Sequence, residues 1–336
     1  MQAYLRLVSN GVFKQMELSM LSQETLRHGL FRQSFKAMGT PCEITYRCES
    51  ANEATEFREQ SLAWVRKFEN RYSRYLPDSL ISRINRTAGT GQFIEIEEED
   101  ERLFKLCDTL HFFTRGLFDP TTLPLAQLWN FKAEKPRIPN DGEIKTALNK
   151  IDWKKVIREK AMVSLPESGM GLDFGGFGKE YAVDRIIEMG HKFGISDLLV
   201  NFGGDLRTRG SPPDSPHWRV GIEDPNQPGQ ARFTVRANDL AVATSGNYQR
   251  FFEINGKRYG HLLDHRTGFP TSSENLSATV IAKSCLEAGI LATCSLMDER
   301  LQGLNLIENH FGSEGCVWTK SGLLWSKKFD SYLISN

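Results

Sequence analysis

Gly171-Leu172-Asp173-Phe174-Gly175-Gly176-Phe177-Gly178-Lys179-Glu180-Tyr181-Ala182-Val183-Asp184 is the stretch that governs the reading of this chain. Gly175, Gly176 and Gly178 fall beside one lysine and two acids in what reads as a single strand-to-helix turn. Glycines let a backbone approach a ligand closely, and the N–H groups that open a helix attract anions. Lys179 adds a point charge suited to phosphate. The usual nucleotide cradles do not fit. A Walker loop needs Gly five residues before its Gly-Lys pair and Ser or Thr after it, where this chain has Asp173 and Glu180. Gly-Gly-Phe-Gly also fails the Gly-x-Gly-x-x-Gly pattern of dinucleotide folds. A plain glycine-rich connection between a buried strand and a helix remains the alternative.

The neighbouring blocks decide between these readings. Before the turn come Met38-Gly39-Thr40, then Tyr72-Ser73-Arg74-Tyr75 with Pro77-Asp78-Ser79 and Asn85, then Phe118-Asp119-Pro120-Thr121 with Leu125 and Trp129. After it come Asn201-Phe202-Gly203-Gly204-Asp205, then Ala243-Thr244-Ser245-Gly246-Asn247-Tyr248. His261-Leu262-Leu263-Asp264, Thr267-Gly268-Phe269-Pro270 and Leu291-Ala292-Thr293 complete the order. This succession, from about Met38 to about Leu304, resembles the FAD:protein FMN transferase (ApbE) family.

Composition sets bounds. The chain has 336 residues, with 42 basic and 42 acidic side chains that cancel, so nothing favours a nucleic-acid surface or an anionic membrane. Its 40% hydrophobic and 25% charged content is that of an ordinary globular protein. No apolar run approaches the roughly 20 residues that a membrane helix needs. Residues 1–35 carry Arg6, Lys14, Glu17, Glu24, Arg27 and Arg32, and the first cysteine is Cys42. Many members of the resembled family are exported lipoproteins, but no signal core or lipidation cysteine is seen here, so a cytoplasmic location is expected. The six cysteines show no Cys-x-x-Cys spacing and read as reduced thiols.

Pattern along the chain predicts an α+β fold. Residues 1–33 lack periodicity and read as an N-terminal extension; residues 34–330 read as the ApbE-like domain. Residues 34–47 alternate as one strand, 52–71 carry a helical stripe, and Leu103 to Phe113 reads as another helix. Residues 132–150 read as a surface connection. Short strands follow from Trp153, with Asn255-Gly256 as a hairpin turn and helices at Glu180–Gly190 and Ser284–Met297. The resemblance implies two T-fold-like modules of largely antiparallel sheet, packed with helices around one flavin cleft.

The resemblance also implies a chemistry. FMN would pass from FAD to a Thr or Ser hydroxyl of an acceptor protein, with AMP released and Mg2+ assisting. The same pocket would serve an FAD hydrolase yielding FMN and AMP, or an FAD-binding carrier without turnover. By resemblance, Met38, Tyr75, Leu117, Phe118, Asp119, Asp173 and Lys179 line the FAD site, and Ser245 contacts phosphate. Tyr75 offers a ring for stacking, and Asp119 an acceptor or, alternatively, a turn residue before Pro120. His261 is the expected base, on the outgoing strand of the hairpin, and Lys179 the expected phosphate stabiliser.

The implied metal ligands are the Gly176 carbonyl and Thr293, with an aspartate four residues before the threonine on the same helix face. That aspartate position is Gly289. Glu287, Asp298 or Asp264 would have to reach in, and an aspartate restored at 289 is expected to supply the missing ligand. A glycine inside a helix costs about 1 kcal/mol against alanine, which points to a close approach by something at this position.

Overall fold

The computed structural model describes residues 22–227, 229–247, 251–271, 274–297 and 302–334. Nine strands form one sheet: β1 Ser22–Thr25, β2 Leu30–Ala37, β3 Thr40–Arg47, β4 Leu198–Phe202, β5 Asp205–Arg209, β6 Ala241–Gly246, β7 Asn275–Ala282, β8 Glu314–Thr319 and β9 Gly322–Trp325. They lie side by side in chain order, and every neighbouring pair is antiparallel. The α+β class is therefore the one observed, and the strands of the implied modules run on as one continuous sheet.

Its middle strands are apolar on both faces because both faces are covered. Successive side chains alternate across a strand, and Ala241 and Ala243 join one core while Val242 joins another. The first core lies under three helices: α1 Ala51–Tyr72, α3 Gly178–Lys192 and α4 Cys285–Met297. The opposite core holds Trp218, Val220, Ile222 and Val235 from the hairpin of Trp218–Glu223 and Ala231–Ala237. A separate core gathers Phe68, Phe104, Trp153 and Phe174 around helix α2 Glu98–Phe113. No helix among the described residues is long and apolar enough to cross a membrane. All six cysteines are free, and five are buried.

Several expected boundaries shift. Residues 34–47 are not one strand. A two-residue turn at Met38-Gly39, both with positive φ (50° and 73°), folds them into the β2–β3 hairpin. The boundary expected after residue 33 falls inside β2, and β1 precedes it across a 3₁₀ turn at Arg27–Gly29, so the sheet begins before residue 34. The expected surface connection contains a helix, Asp141–Leu148, opened by reciprocal bonds between Asn140 and Glu143. The Asn255-Gly256 hairpin is as expected, with positive φ at both turn residues, but its outgoing strand ends at Gly260.

These features place one end of the sheet against the start of α3. The β2–β3 and β4–β5 turns meet there. Gly203 donates its N–H to the Pro41 carbonyl (2.9 Å), and a Cβ at Gly203 would fall 2.2 Å from Thr40 Oγ1.

Candidate functional site

The glycine-rich segment is held from outside. Asn85 clamps Leu172 by two bonds, accepting its N–H (2.7 Å) and donating to its carbonyl (2.9 Å). Asp173 donates its own N–H to the Pro120 carbonyl (2.8 Å), while its side chain accepts from Gly175 N–H (2.8 Å). The chain then makes a 3₁₀ turn over Phe174–Gly176 and enters α3 at Gly178. None of Gly175, Gly176 and Gly178 has a positive φ. Gly175 and Gly176 are exposed, so the absence of side chains leaves bare backbone at the mouth of the helix. No side chain caps this end, so its first N–H groups keep their anion-attracting character.

Lys179 sits in the first turn, half-buried. Its Nζ donates to Glu180 Oε1 (3.0 Å) and to Asp205 Oδ2 at the start of β5. Burial alone would lower its pKa, but the two carboxylates outweigh that and hold it above the ordinary lysine value. Burial raises the Glu180 pKa, and the charge of Asp205 adds to the rise against the pull of Lys179. Asp205 also accepts from Thr244 N–H (3.2 Å), tying the cluster to β6. At the end of β6, Ser245 Oγ shares a hydrogen bond of 2.7 Å with Thr293 Oγ1 of α4. Thr293 thus spends its hydroxyl across the site and not on its own helix.

Asp184, the last residue of the opening stretch, locks α3 to α4. Its carboxylate accepts from the N–H groups of Cys285 (2.9 Å) and Leu286 (3.0 Å) and from Arg207 Nη1 (2.8 Å). This places the Lys179 turn against the face of α4 that carries Gly289 and Thr293. A Cβ at Gly289 would lie 2.5 Å from Glu180 Cγ and 3.1 Å from both Glu180 Cδ and Oε1. The close approach expected at Gly289 is therefore made by the Glu180 side chain, and an aspartate added at 289 would collide with it. The expectation of a simple restored ligand is corrected on that ground.

The residues expected to line the flavin site divide. Phe118 meets Phe177 edge-on (5.8 Å) and borders Gly176, and Leu117 packs on the same core. Asp173 pairs with Arg74 Nε (2.7 Å), and the Arg74 guanidinium lies 4.3 Å from the Tyr75 ring, with Lys132 Nζ 4.4 Å from it. Tyr75 is 53% exposed, a ring at the surface. Met38 forms the tip of the β2–β3 turn and donates its N–H to Glu69 Oε1 of α1 (2.9 Å).

Asp119 is buried, its Oδ1 accepts from Thr121 N–H (2.7 Å) and hydroxyl, and its Oδ2 accepts from Trp153 N–H (3.0 Å). Oδ1 serves its own turn and Oδ2 the segment at Trp153, so the bonds on the page are those of the turn role.

His261 lies in a bend after the hairpin strand and not on it. Gly260 packs its Cα against Asn247, where a Cβ would lie 3.1 Å from Asn247 Oδ1, so His261 follows a residue seated two positions beyond Ser245. Asp264 grips Arg266 through both oxygens, and Glu287 bonds with Ser284 at the start of α4; neither offers a carboxylate to Thr293. Asp298 and Tyr248 lie outside the described residues. Sequence reasoning missed Glu180, Asp205 and Asp184. All three stand in the motifs, Glu180 directly after Lys179 and Asp184 and Asp205 at the ends of their blocks, but position alone assigns none of them a role.

Among the described residues, no three His, Cys, Asp or Glu side chains converge as a metal centre. The donors present are two carboxylates and two hydroxyls, a set of hard oxygens that suits Mg2+ completed by phosphate or water. Glu180 Oε2 is buried without a hydrogen-bond partner among the described residues.

The ApbE family model matches residues 38–317. The FAD:protein FMN transferase of Treponema pallidum is 29% identical over 276 residues, 76% of this chain and 75% of that protein. The one from Escherichia coli K12 is 29% identical over 314 residues, 89% and 88% of the two chains. Among solved structures, the ApbE protein of Thermotoga maritima superposes with a TM-score of 0.82 at 27% identity, covering 91% of this chain and all of that one. The flavin transferase ApbE of Vibrio cholerae gives 0.79 at 26% identity, covering 93% and 100%.

Proposed function

The chain belongs to the ApbE family, and on that premise we propose that it transfers the FMN moiety of FAD to a Thr or Ser hydroxyl of an acceptor protein, releasing AMP. The observation that carries this reading is the Lys179–Glu180–Asp205 cluster at the uncapped start of α3, faced by Ser245 and Thr293. One lysine against two carboxylates leaves a formal charge of −1, which by itself repels a pyrophosphate. A divalent cation reverses that sign, and Mg2+ is the group that the hard oxygen donors fit. Asp205, Thr293 and the Gly176 carbonyl are the residues that would hold it. When bound, it would neutralise phosphate charge that grows as the leaving group departs.

The protein's own groups do the rest. Lys179 holds its proton above the ordinary lysine range and so remains a cation for the FAD phosphates. The open N–H groups of α3 add partial positive charge at the same place. Phe118 and Tyr75 offer apolar and stacking surface to the flavin and adenine ends. The acceptor hydroxyl attacks the phosphorus of the FMN half while its proton passes to the His261 imidazole. A new P–O bond forms to the Thr or Ser oxygen as the bridging P–O bond breaks. AMP leaves with the bridging oxygen and its electron pair.

The test is to incubate purified protein with FAD, Mg2+ and a candidate acceptor and to look for acceptor fluorescence in a denaturing gel. A fluorescent acceptor band with matching AMP release is expected. Free FMN and AMP with no labelled acceptor would instead assign the site to hydrolysis, and FAD that is bound but unconsumed would refute the transferase.

A further inference from the structure

We propose that Glu180 supplies the carboxylate that a divalent cation requires at this site, taking from α3 the place that a side chain at position 289 would fill from α4. The inference rests on the magnesium-assisted reading above and adds the ligand that reading lacks.

The geometry carries it first. A Cβ built on Gly289 falls 2.5 Å from Glu180 Cγ and 3.1 Å from Cδ and Oε1. The space over Gly289 is thus already filled by a carboxyl group, one helical turn from Thr293. The two arrangements exclude each other. Either position 289 carries the acid or Glu180 lies across a bare helix, and this chain has the second.

Satisfaction of polar groups carries it next. Glu180 is 7% exposed. Its Oε1 accepts from Lys179, while its Oε2 is buried with no hydrogen-bond partner among the described residues. A buried acceptor left empty is costly, more so when charged, and native proteins rarely leave one so. The nearby partners are also oxygens. Asp205 shares Lys179 with Glu180, and Thr293 Oγ1 is held by Ser245 Oγ. A carboxylate cannot satisfy an acceptor, no hydroxyl bonds Oε2 among the described residues, and a cation can. The carboxylates of Asp264 and Glu287 accept from the Arg266 guanidinium and the Ser284 N–H respectively, and Glu287 also faces His310 Nε2 (3.9 Å). The competing account is that Glu180 is only a counter-ion to Lys179.

Mn2+ binding to the full-length protein separates the two accounts. The loss of the free-ion paramagnetic resonance signal measures it, with and without FAD. Glu180→Gln keeps shape and removes charge. It should weaken Mn2+ binding about tenfold or more, the equivalent of one charge-assisted contact. Gly289→Asp alone should bring no gain, because the space is taken. Glu180→Gly combined with Gly289→Asp moves the carboxylate back across the helix pair and should recover affinity to within about threefold of the parent. A Glu180→Gln protein that binds Mn2+ as the parent does overturns the proposal. So does a folded double variant no tighter than Glu180→Gly alone. A parent that binds no Mn2+, even with FAD, instead removes the magnesium reading itself, so the two failures are told apart.

Discussion

Glycine at 289 should be a packing requirement set by one side chain, and that can be measured without any ligand. Gly289→Ala places a carbon 2.5 Å from Glu180 Cγ, where relaxed carbons stand about 3.5–4.0 Å apart. The shortfall exceeds 1 Å by this comparison. Glu180 Cγ is mid-chain, and its carboxyl is tied to Lys179, so the side chain has little room to retreat. The helix cannot move either, since Cys285, Ala288, Leu291 and Ala292 of α4 are wholly buried. Overpacking of this kind costs about 1–3 kcal/mol, against a gain of about 1 kcal/mol for removing a helical glycine. The net is about 0–2 kcal/mol unfavourable. At roughly 2 °C per kcal/mol for a chain of this size, the melting midpoint should fall by up to about 4 °C. In a Glu180→Ala background the obstruction is gone and only the propensity gain remains, so the same substitution should raise the midpoint by about 2 °C. The sign inverts. Four proteins melted under one buffer, followed by circular dichroism, complete the cycle. Equal shifts from Gly289→Ala in both backgrounds would refute the reasoning, because the cost would then come from elsewhere in the helix.

Three further outcomes follow from the site and the packing around it. Lys179→Ala should weaken FAD binding about tenfold or more in calorimetry, the loss of one charge-assisted phosphate contact; unchanged affinity removes Lys179 from the phosphates. His261→Ala should slow transfer about a hundredfold while FAD affinity holds, and a variant that loses affinity but turns over normally when saturated makes His261 a pocket wall. Burial would raise the Asp100 pKa, but the Arg71 guanidinium, the Tyr72 hydroxyl and the Glu97 N–H outweigh it and hold it below the ordinary 3.8. The folded state then binds that proton less tightly than the unfolded chain, so Asp100 stabilises fully above pH 3.8 and loses its contribution as pH falls below it. Asp100→Asn should flatten the acid limb of the stability curve, and an unaltered acid limb would show that Asp100 does not govern it.

What the sequence reveals depends on how far each interaction reaches along the chain. Helix α1 is legible because Phe57, Val65, Phe68 and Tyr72 repeat at helical spacing and are all buried. The Asn255-Gly256 turn is legible because both residues favour positive φ. The Met38-Gly39 turn has the same backbone but puts a methionine where φ is positive, and local preference gives no warning of that. The short helix at Asp141–Leu148 carries a readable signal, Asn140 followed three residues later by Glu143, overlooked among the prolines before it. The candidate site divides in the same way. Lys179 stands out by its place after three glycines, and the structure puts it at the open start of a helix, as that place implies. Asp119 is ambiguous because a carboxylate before proline looks the same whether it faces a ligand or its own loop; the bonds to Thr121 and Trp153 are seen only in the structure. Gly289 is the sharpest case. Read alone, it is a missing ligand and an argument for a protein that binds flavin without turnover. Read with Glu180 lying over it, the absence of a side chain is what lets a carboxylate enter from the neighbouring helix. A substitution that removes a functional group can be judged only with the residue that fills its space, and that residue is found by packing, not by position in the motif.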